Sequence, residues 1–132
     1  MPGYGAQVEL VRRMHVAGVG FLAGTDASQW NFMVPDVSLH TELAHFVEAG
    51  FSPIAELQTA TTNPVTYMGR TDSLGTVAPG KRANLVVLEG DPALDVGNAS
   101  RIFAVVLRGR LLTRASLDVI LVAARQRASA TK

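Results

Sequence analysis

The residues best placed to do chemistry are Thr25 and Asp26, a hydroxyl and a carboxylate that end the apolar run Gly18-Val-Gly-Phe-Leu-Ala-Gly24. A carboxylate in such a place can take a proton from water or ligate a metal ion. The same two residue types also turn a chain and cap the next element, so a structural reading stands beside the chemical one. A second cluster is His40-Thr-Glu42-Leu-Ala-His45. Two histidines chelate one zinc from a helix when they are four apart; five apart turns one away from the other by roughly 140 degrees. His40 and His45 therefore cannot share a metal on a helix, and polar residues on a helix flank are the plainer reading. His40 stays a candidate substrate-facing residue because it falls in the first turn, near the loop after Asp26. That loop, 27–36, carries the single tryptophan, Trp30, with Phe32 and Met33. It reads equally as a pocket wall or as a plug on a neighbouring element.

The elements that must position these groups can be read from apolar spacing. Val19, Phe21, Leu22 and Ala23 form a run without alternation, which predicts a strand buried on both faces in a parallel sheet covered by helices. Ligands of such sheets lie beyond the carboxyl ends of the strands, where Thr25 and Asp26 stand. Before the strand, Leu10, Val11, Met14 and Ala17 share one side of a helix over 6–17 that Gly18 ends, with His15 expected at the surface. After the loop, Leu39, Leu43, Phe46, Val47 and Ala49 predict a helix from Ser38 closed by Gly50. Ser52-Pro53 and Asn63-Pro64 open two short helices whose role is structural. Past Arg70 the period changes to that of strands. Leu74–Val77 and Asn84–Leu88 predict a hairpin around Ala78-Pro-Gly-Lys81, and Ile102–Leu107 with Leu111–Thr113 a second pair around Arg108, Gly109 and Arg110. The tail over 116–127 is helical and apolar around most of its circumference, so it must be buried somewhere.

At 132 residues the chain is one domain's worth, too short for a complete eight-stranded α/β barrel of about 250 residues. Twelve basic and 11 acidic residues leave a net charge of +1, which supplies no electrostatic reason to expect nucleic acid or an anionic membrane as a partner. The lack of cysteine excludes disulfides and thiolate metal sites and fits a reducing cytoplasm. The opening Met-Pro-Gly-Tyr-Gly does not read as an export signal and no apolar stretch reaches the length of a membrane span, so a soluble, cytoplasmic protein is expected. There is no Walker loop, no Gly-x-Ser-x-Gly elbow and no His-x-His, and the glycines of 18–24 miss the dinucleotide fingerprint by one residue.

In order, Ala17-Gly-Val-Gly-Phe-Leu-Ala-Gly-Thr-Asp26, Leu39-His-Thr-Glu-Leu43, Glu48-Ala-Gly-Phe-Ser-Pro53, Ala60-Thr-Thr-Asn-Pro64, Leu74-Gly-Thr-Val-Ala-Pro-Gly-Lys81, Ala83-Asn-Leu-Val-Val-Leu88 and Val105-Val-Leu-Arg-Gly-Arg110 form a series. Over about residues 7 to 114 it resembles the C-terminal third of metal-dependent amidohydrolases, the branch with imidazolonepropionase and Xaa-Pro dipeptidase relatives. The resemblance implies that Asp26 ends barrel strand eight, ligates a divalent metal, with zinc the expected ion, and handles protons for the attacking water. It implies a small-molecule amide or dipeptide-like substrate. The family's His-x-His, its bridging lysine or glutamate and its two later histidines have no counterpart here, and one aspartate cannot hold a hydrolytic metal that needs about three protein ligands. Ala55-Glu56 stands where the family usually has Glu then Ala, and Asn84 where Asp is usual.

The expected architecture is α/β: the last helix-strand-helix unit of a (β/α)8 hydrolase barrel over 1–70, strands of a small β-sandwich over 71–114, and a C-terminal helix over 115–132. The expected function is metal-assisted hydrolysis of an amide or other C–N bond, with Asp26 as catalytic and metal-binding residue and Thr25, Trp30 and His40 facing substrate. Alone, the chain is expected to be inactive unless another polypeptide completes it. The alternatives are a non-catalytic remnant or oligomerising interaction module, and a metal-free hydrolase using Ser28 or Ser38 with His40 and Asp26. A strand with two open edges and an apolar tail helix predict a homo-oligomer or a complementing chain.

Overall fold

Apolar residues at helical spacing, punctuated by glycines that accept a left-handed backbone, build the first half of the molecule. The computed structural model describes residues 3–25 and 37–130. Helix α1 covers Tyr4–Val16 and stops at Gly18, whose φ is +79°. Helix α2, Val37–Glu48, ends the same way at Gly50, φ +95°. Helix α3, Pro53–Ala60, starts where Ser52 Oγ accepts the Ala55 amide at 3.2 Å and Pro53 occupies the first helical position. Helix α4, Thr62–Tyr67, begins after one residue.

These helices meet over a small aromatic core. Phe46 of α2 and Ala49 and Phe51 just after it are buried, with Val8 and Val11 of α1, Phe21, Ala23 and Ala55 packed against them. Phe46 and Phe51 lie 5.0 Å apart by ring centroid, and Phe21 stands edge-on to both at 5.7 and 5.2 Å. Such geometry adds to plain burial because ring edges and faces carry opposite partial charge. His15 joins the core's rim: its imidazole is half-buried and stacks on Phe51 at 3.7 Å. The surface position expected for it is thus corrected, since α1 turns that side of its last turn onto Phe51.

The second half is a three-stranded antiparallel sheet of β1 (Leu85–Leu88), β2 (Ile102–Leu107) and β3 (Arg110–Thr113), in that order. Val87 pairs with Ala104 and Leu88 with Ile102, so Phe103 is an extra residue that bulges β2. Arg108 and Gly109 join β2 to β3 with φ of 53° and 81°, the two-residue turn whose twist suits a hairpin. Asn84 secures it, its side-chain oxygen accepting the Arg108 amide at 2.8 Å. A 3-10 helix over Val96–Ser100, capped by Asp95 on the Gly97 amide at 2.8 Å, packs between α2 and β1. Helix α5, Arg114–Ala130, continues directly from β3 and leans on β2 and β3.

The first expected hairpin does not form. Residues 74–77 are not a strand, and β1 pairs with β2 instead. Gly75 sits at φ +88° with Val65 3.2 Å from where a Cβ would be, which breaks the extended run. Lys81 then folds the segment into a loop by donating to the Leu74 carbonyl and the Thr76 hydroxyl. The tail helix also differs from expectation: Val119, Ile120, Leu121 and Val122 are all about half exposed or more.

Among the described residues two polar side chains lie wholly inside, Thr59 and Glu56, and Thr59 is satisfied by donating to the Glu56 carbonyl at 2.7 Å. Glu56 is fully buried and neither of its carboxylate oxygens has a hydrogen-bond partner among the described residues. Burial pushes its pKa up from 4.5 to about 7. The folded protein therefore holds this proton more tightly than the unfolded chain, so the stability that the proton confers is full below about pH 4.5, declines as pH rises toward 7, and is gone above that. We expect the thermal midpoint, measured by circular dichroism, to fall between pH 5 and 7.5 in the wild type. Glu56→Gln should flatten that slope and raise the midpoint by several degrees at pH 7.5.

Candidate functional site

The segment after α1 carries Thr25 at its end, and its backbone must find partners without a sheet. Among the described residues no strand lies beside 19–25, so no ladder is formed. Half-buried Phe21, Ala23 and Thr25 alternate with exposed Gly20, Leu22 and Gly24, the period of an extended chain covered on one side. Val19 and Leu22 are 44% and 45% exposed, so burial on both faces is not reached within this chain.

Other elements supply the missing bonds. The Val19 amide donates to the Met14 carbonyl at 3.0 Å. Asn63, from α4, donates its side-chain amide to the Phe21 carbonyl at 3.0 Å. The Ala23 amide donates to the Thr59 carbonyl of α3 at 2.9 Å. Last, the Gly24 amide donates to a carboxylate oxygen of Glu42, on α2, at 3.0 Å. Three helices, α2, α3 and α4, thus grip the stretch of chain that leads into Thr25. Asn63 does not cap its helix as the Asn-Pro pair predicts; α4 begins at Thr62, and the Asn63 side chain reaches back to Phe21.

Glu42 is a positioning residue that spacing alone does not reveal. It sits in Leu39-His-Thr-Glu-Leu43, where histidines draw attention, yet its carboxylate is what fastens α2 to the tip of the segment. A charged acceptor on a backbone amide is stronger than a neutral one.

Asp26, Trp30 and Ser28 lie outside the described residues. Thr25 is half-buried at the last described position before them. His40 is half-buried in the first turn of α2, where with Thr41, Ala44, Val96, Gly97 and Ser100 it lines an open cleft of about 540 Å³ against the 3-10 helix. Its Nδ1 is buried without a hydrogen-bond partner among the described residues, so no group there holds that nitrogen as the third member of a serine triad would. His45 is exposed and meets Tyr4 edge-on at 5.3 Å, apart from His40 as the five-residue spacing requires. Among the described residues no three His, Asp or Glu side chains gather closely enough to hold a metal ion. The described residues do not form a metal centre by themselves.

Comparison with known proteins agrees with this architecture. Residues 5–112 match the Amidohydrolase family. Among curated proteins the chain is similar to adenine deaminase 3 of Rhizobium meliloti (strain 1021), at 33% identity over 107 residues that make up 81% of this chain and 17% of that protein. It is also similar to the adenine deaminase of Paracoccus denitrificans (strain Pd 1222), at 31% identity over 67 residues, 51% of this chain and 11% of that one. Among solved structures it resembles a Xaa-Pro dipeptidase with bound methionine in the active site, with a TM-score of 0.71 and 25% identity over 80% of this chain and 25% of that chain. Molinate hydrolase is similar with a TM-score of 0.66 and 30% identity over 76% of this chain and 25% of that chain. The chain spans about a quarter or less of the length of these relatives.

If Glu42 holds the tip, Glu42→Ala should cost about 1–3 kcal/mol, the loss of a charged acceptor from a backbone amide. It should also lower the exchange protection of the Gly24 amide at least about tenfold, the equivalent of 1.4 kcal/mol of local opening. Glu42→Gln, which keeps an oxygen acceptor, should retain most of the protection. Hydrogen exchange read by NMR separates these outcomes, and equal protection in all three proteins would show that the carboxylate is not the fastening.

Proposed function

The chain belongs to the amidohydrolase family, and from that premise we propose that it supplies the Asp26-bearing C-terminal portion of a hydrolase acting on a C–N bond of a small molecule. The observation that carries the reading is the grip of Glu42, Thr59 and Asn63 on residues 21–24. Three independent fastenings on a segment without a ladder make sense where the residue at its end must be held in place for chemistry.

In this reading Asp26 is this chain's contribution to a divalent metal site, with zinc as the expected ion, and its carboxylate accepts a proton from the attacking water. Thr25, Trp30 and His40 face substrate. The remaining metal ligands come from another polypeptide or from further sequence, since about three are needed. The substrate class is broad because the relatives differ: two are adenine deaminases and one is a Xaa-Pro dipeptidase. Residues 1–70 form the terminal barrel portion and the sheet contributes to a small sandwich. No helix among the described residues is long and apolar enough to cross a membrane, and the absence of cysteine suits work in the cytoplasm.

Zinc titration against a competing chelator tests the ligand count, and hydrolysis of simple amides and dipeptides tests the chemistry. The chain alone should show no stoichiometric submicromolar zinc site. Any hydrolysis it supports should need added divalent metal, stop on chelation, and fall by orders of magnitude in Asp26→Ala. A tight zinc site that vanishes in Asp26→Asn would mean that the full ligand set lies within this chain. Hydrolysis that survives chelation and Asp26→Ala, but not Ser28→Ala, Ser38→Ala or His40→Ala, would replace the metal reading with the serine one.

A further inference from the structure

Helix α5 lies beyond the residues that match the family, so the family's core does not account for its apolar surface. Leu121 and Val122 are 48% and 51% exposed. At 100 degrees per residue, Arg114, Asp118, Leu121, Val122, Arg125 and Ser129 fall within one face about 100 degrees wide. The face reads, in order, base, acid, two apolar residues, base and hydroxyl. Arg114 and Asp118 are paired at 2.7 Å, with Arg114 also donating to the Ile102 carbonyl. The Arg125 guanidinium makes no ion pair among the described residues.

This order is complementary to itself when reversed. A two-fold axis passing between Leu121 and Val122 sets a second α5 antiparallel to the first. The apolar pair then meets the same pair, and Asp118 stands opposite Arg125 of the partner subunit, once on each side of the axis. A parallel arrangement would instead oppose Asp118 to Asp118 and Arg125 to Arg125. We propose that α5 is the interface of a homodimer in which two copies of this chain pair antiparallel through the Asp118, Leu121, Val122 and Arg125 face.

The symmetry is that of an isologous contact, in which one patch meets itself. The apolar centre loses water while the flanking charges fix direction and register. Two crossing helices bury less than about 1,200 Å² in total, the size of a transient interface, so association should depend on concentration. The interface does not touch the segment that leads into Thr25, and it stands or falls apart from the hydrolase reading.

Sedimentation velocity on the full chain over a range of concentrations tests it. The wild type should move from monomer to dimer. Asp118→Arg and Arg125→Asp place like charges opposite one another, and each should weaken the dimer at least about tenfold, or 1.4 kcal/mol. Arg125→Asp is the cleaner of the two because Asp118→Arg also removes the bond to Arg114. The double variant exchanges the signs and should recover most of the lost affinity. Leu121→Gln keeps every charge and should weaken the dimer as well, with helix content unchanged by circular dichroism. A monomer throughout the range, a dimer indifferent to Arg125→Asp or Leu121→Gln, or a double variant as weak as the single ones would each overturn the proposal.

Discussion

A backbone that enters a protein interior must satisfy its amides and carbonyls, and residues 19–25 do so with no neighbouring strand among the described residues. Four bonds drawn from α1, α2, α3 and α4 take the place of a ladder. Much of the helical half can be understood as scaffolding for that substitution. The glycine stops at 18 and 50 set where α1 and α2 end, the Ser52 cap sets where α3 begins, and Asn63 comes within reach of Phe21 because α4 starts a single residue after α3. Phe21 is at once a member of the aromatic core and a hydrogen-bonded point on the segment, so packing and polar satisfaction are coupled at one residue.

The core that backs this arrangement is small. Among the described residues a few apolar side chains are buried, including Leu43, Phe46, Phe51 and Val65, while large apolar groups remain exposed on the segment, the sheet and α5. Small cores leave little surplus stability. In that setting a buried carboxyl without partners is an unusual expense, and Glu56 is such a group. Ser52 caps α3 through the Ala55 amide, and the next residue, Glu56, is the one whose side chain turns inward.

Helix boundaries were legible because glycine, Ser-Pro and apolar spacing each act within a few residues of the feature they mark. The β2–β3 hairpin was legible for the same reason, since Arg108-Gly109 sits between two apolar runs. The family was legible in the ordered series of motifs, and the match over residues 5–112 supports it. What escaped depends on contacts distant in sequence. Leu74–Val77 has the composition of a strand, but Val65 and Lys81 decide its shape. Glu42 grips Gly24 across 18 positions, and His15 finds Phe51 across a helix pair. Apolar runs also describe what a residue would bury and not whether a partner is at hand, which is why Leu22 and the tail helix are exposed here.

The 3-10 helix over Val96–Ser100 packs on α2 on one side and on β1 on the other. It is a mechanical splice between two halves that otherwise have separate interiors. Because α2 also holds Gly24 through Glu42, one helix bears both the splice to the sheet and the fastening at the tip of the segment. Were the splice to loosen, the carboxylate that holds Gly24 would lose one of the supports of its helix, although no strand of the sheet touches the segment's hydrogen bonds.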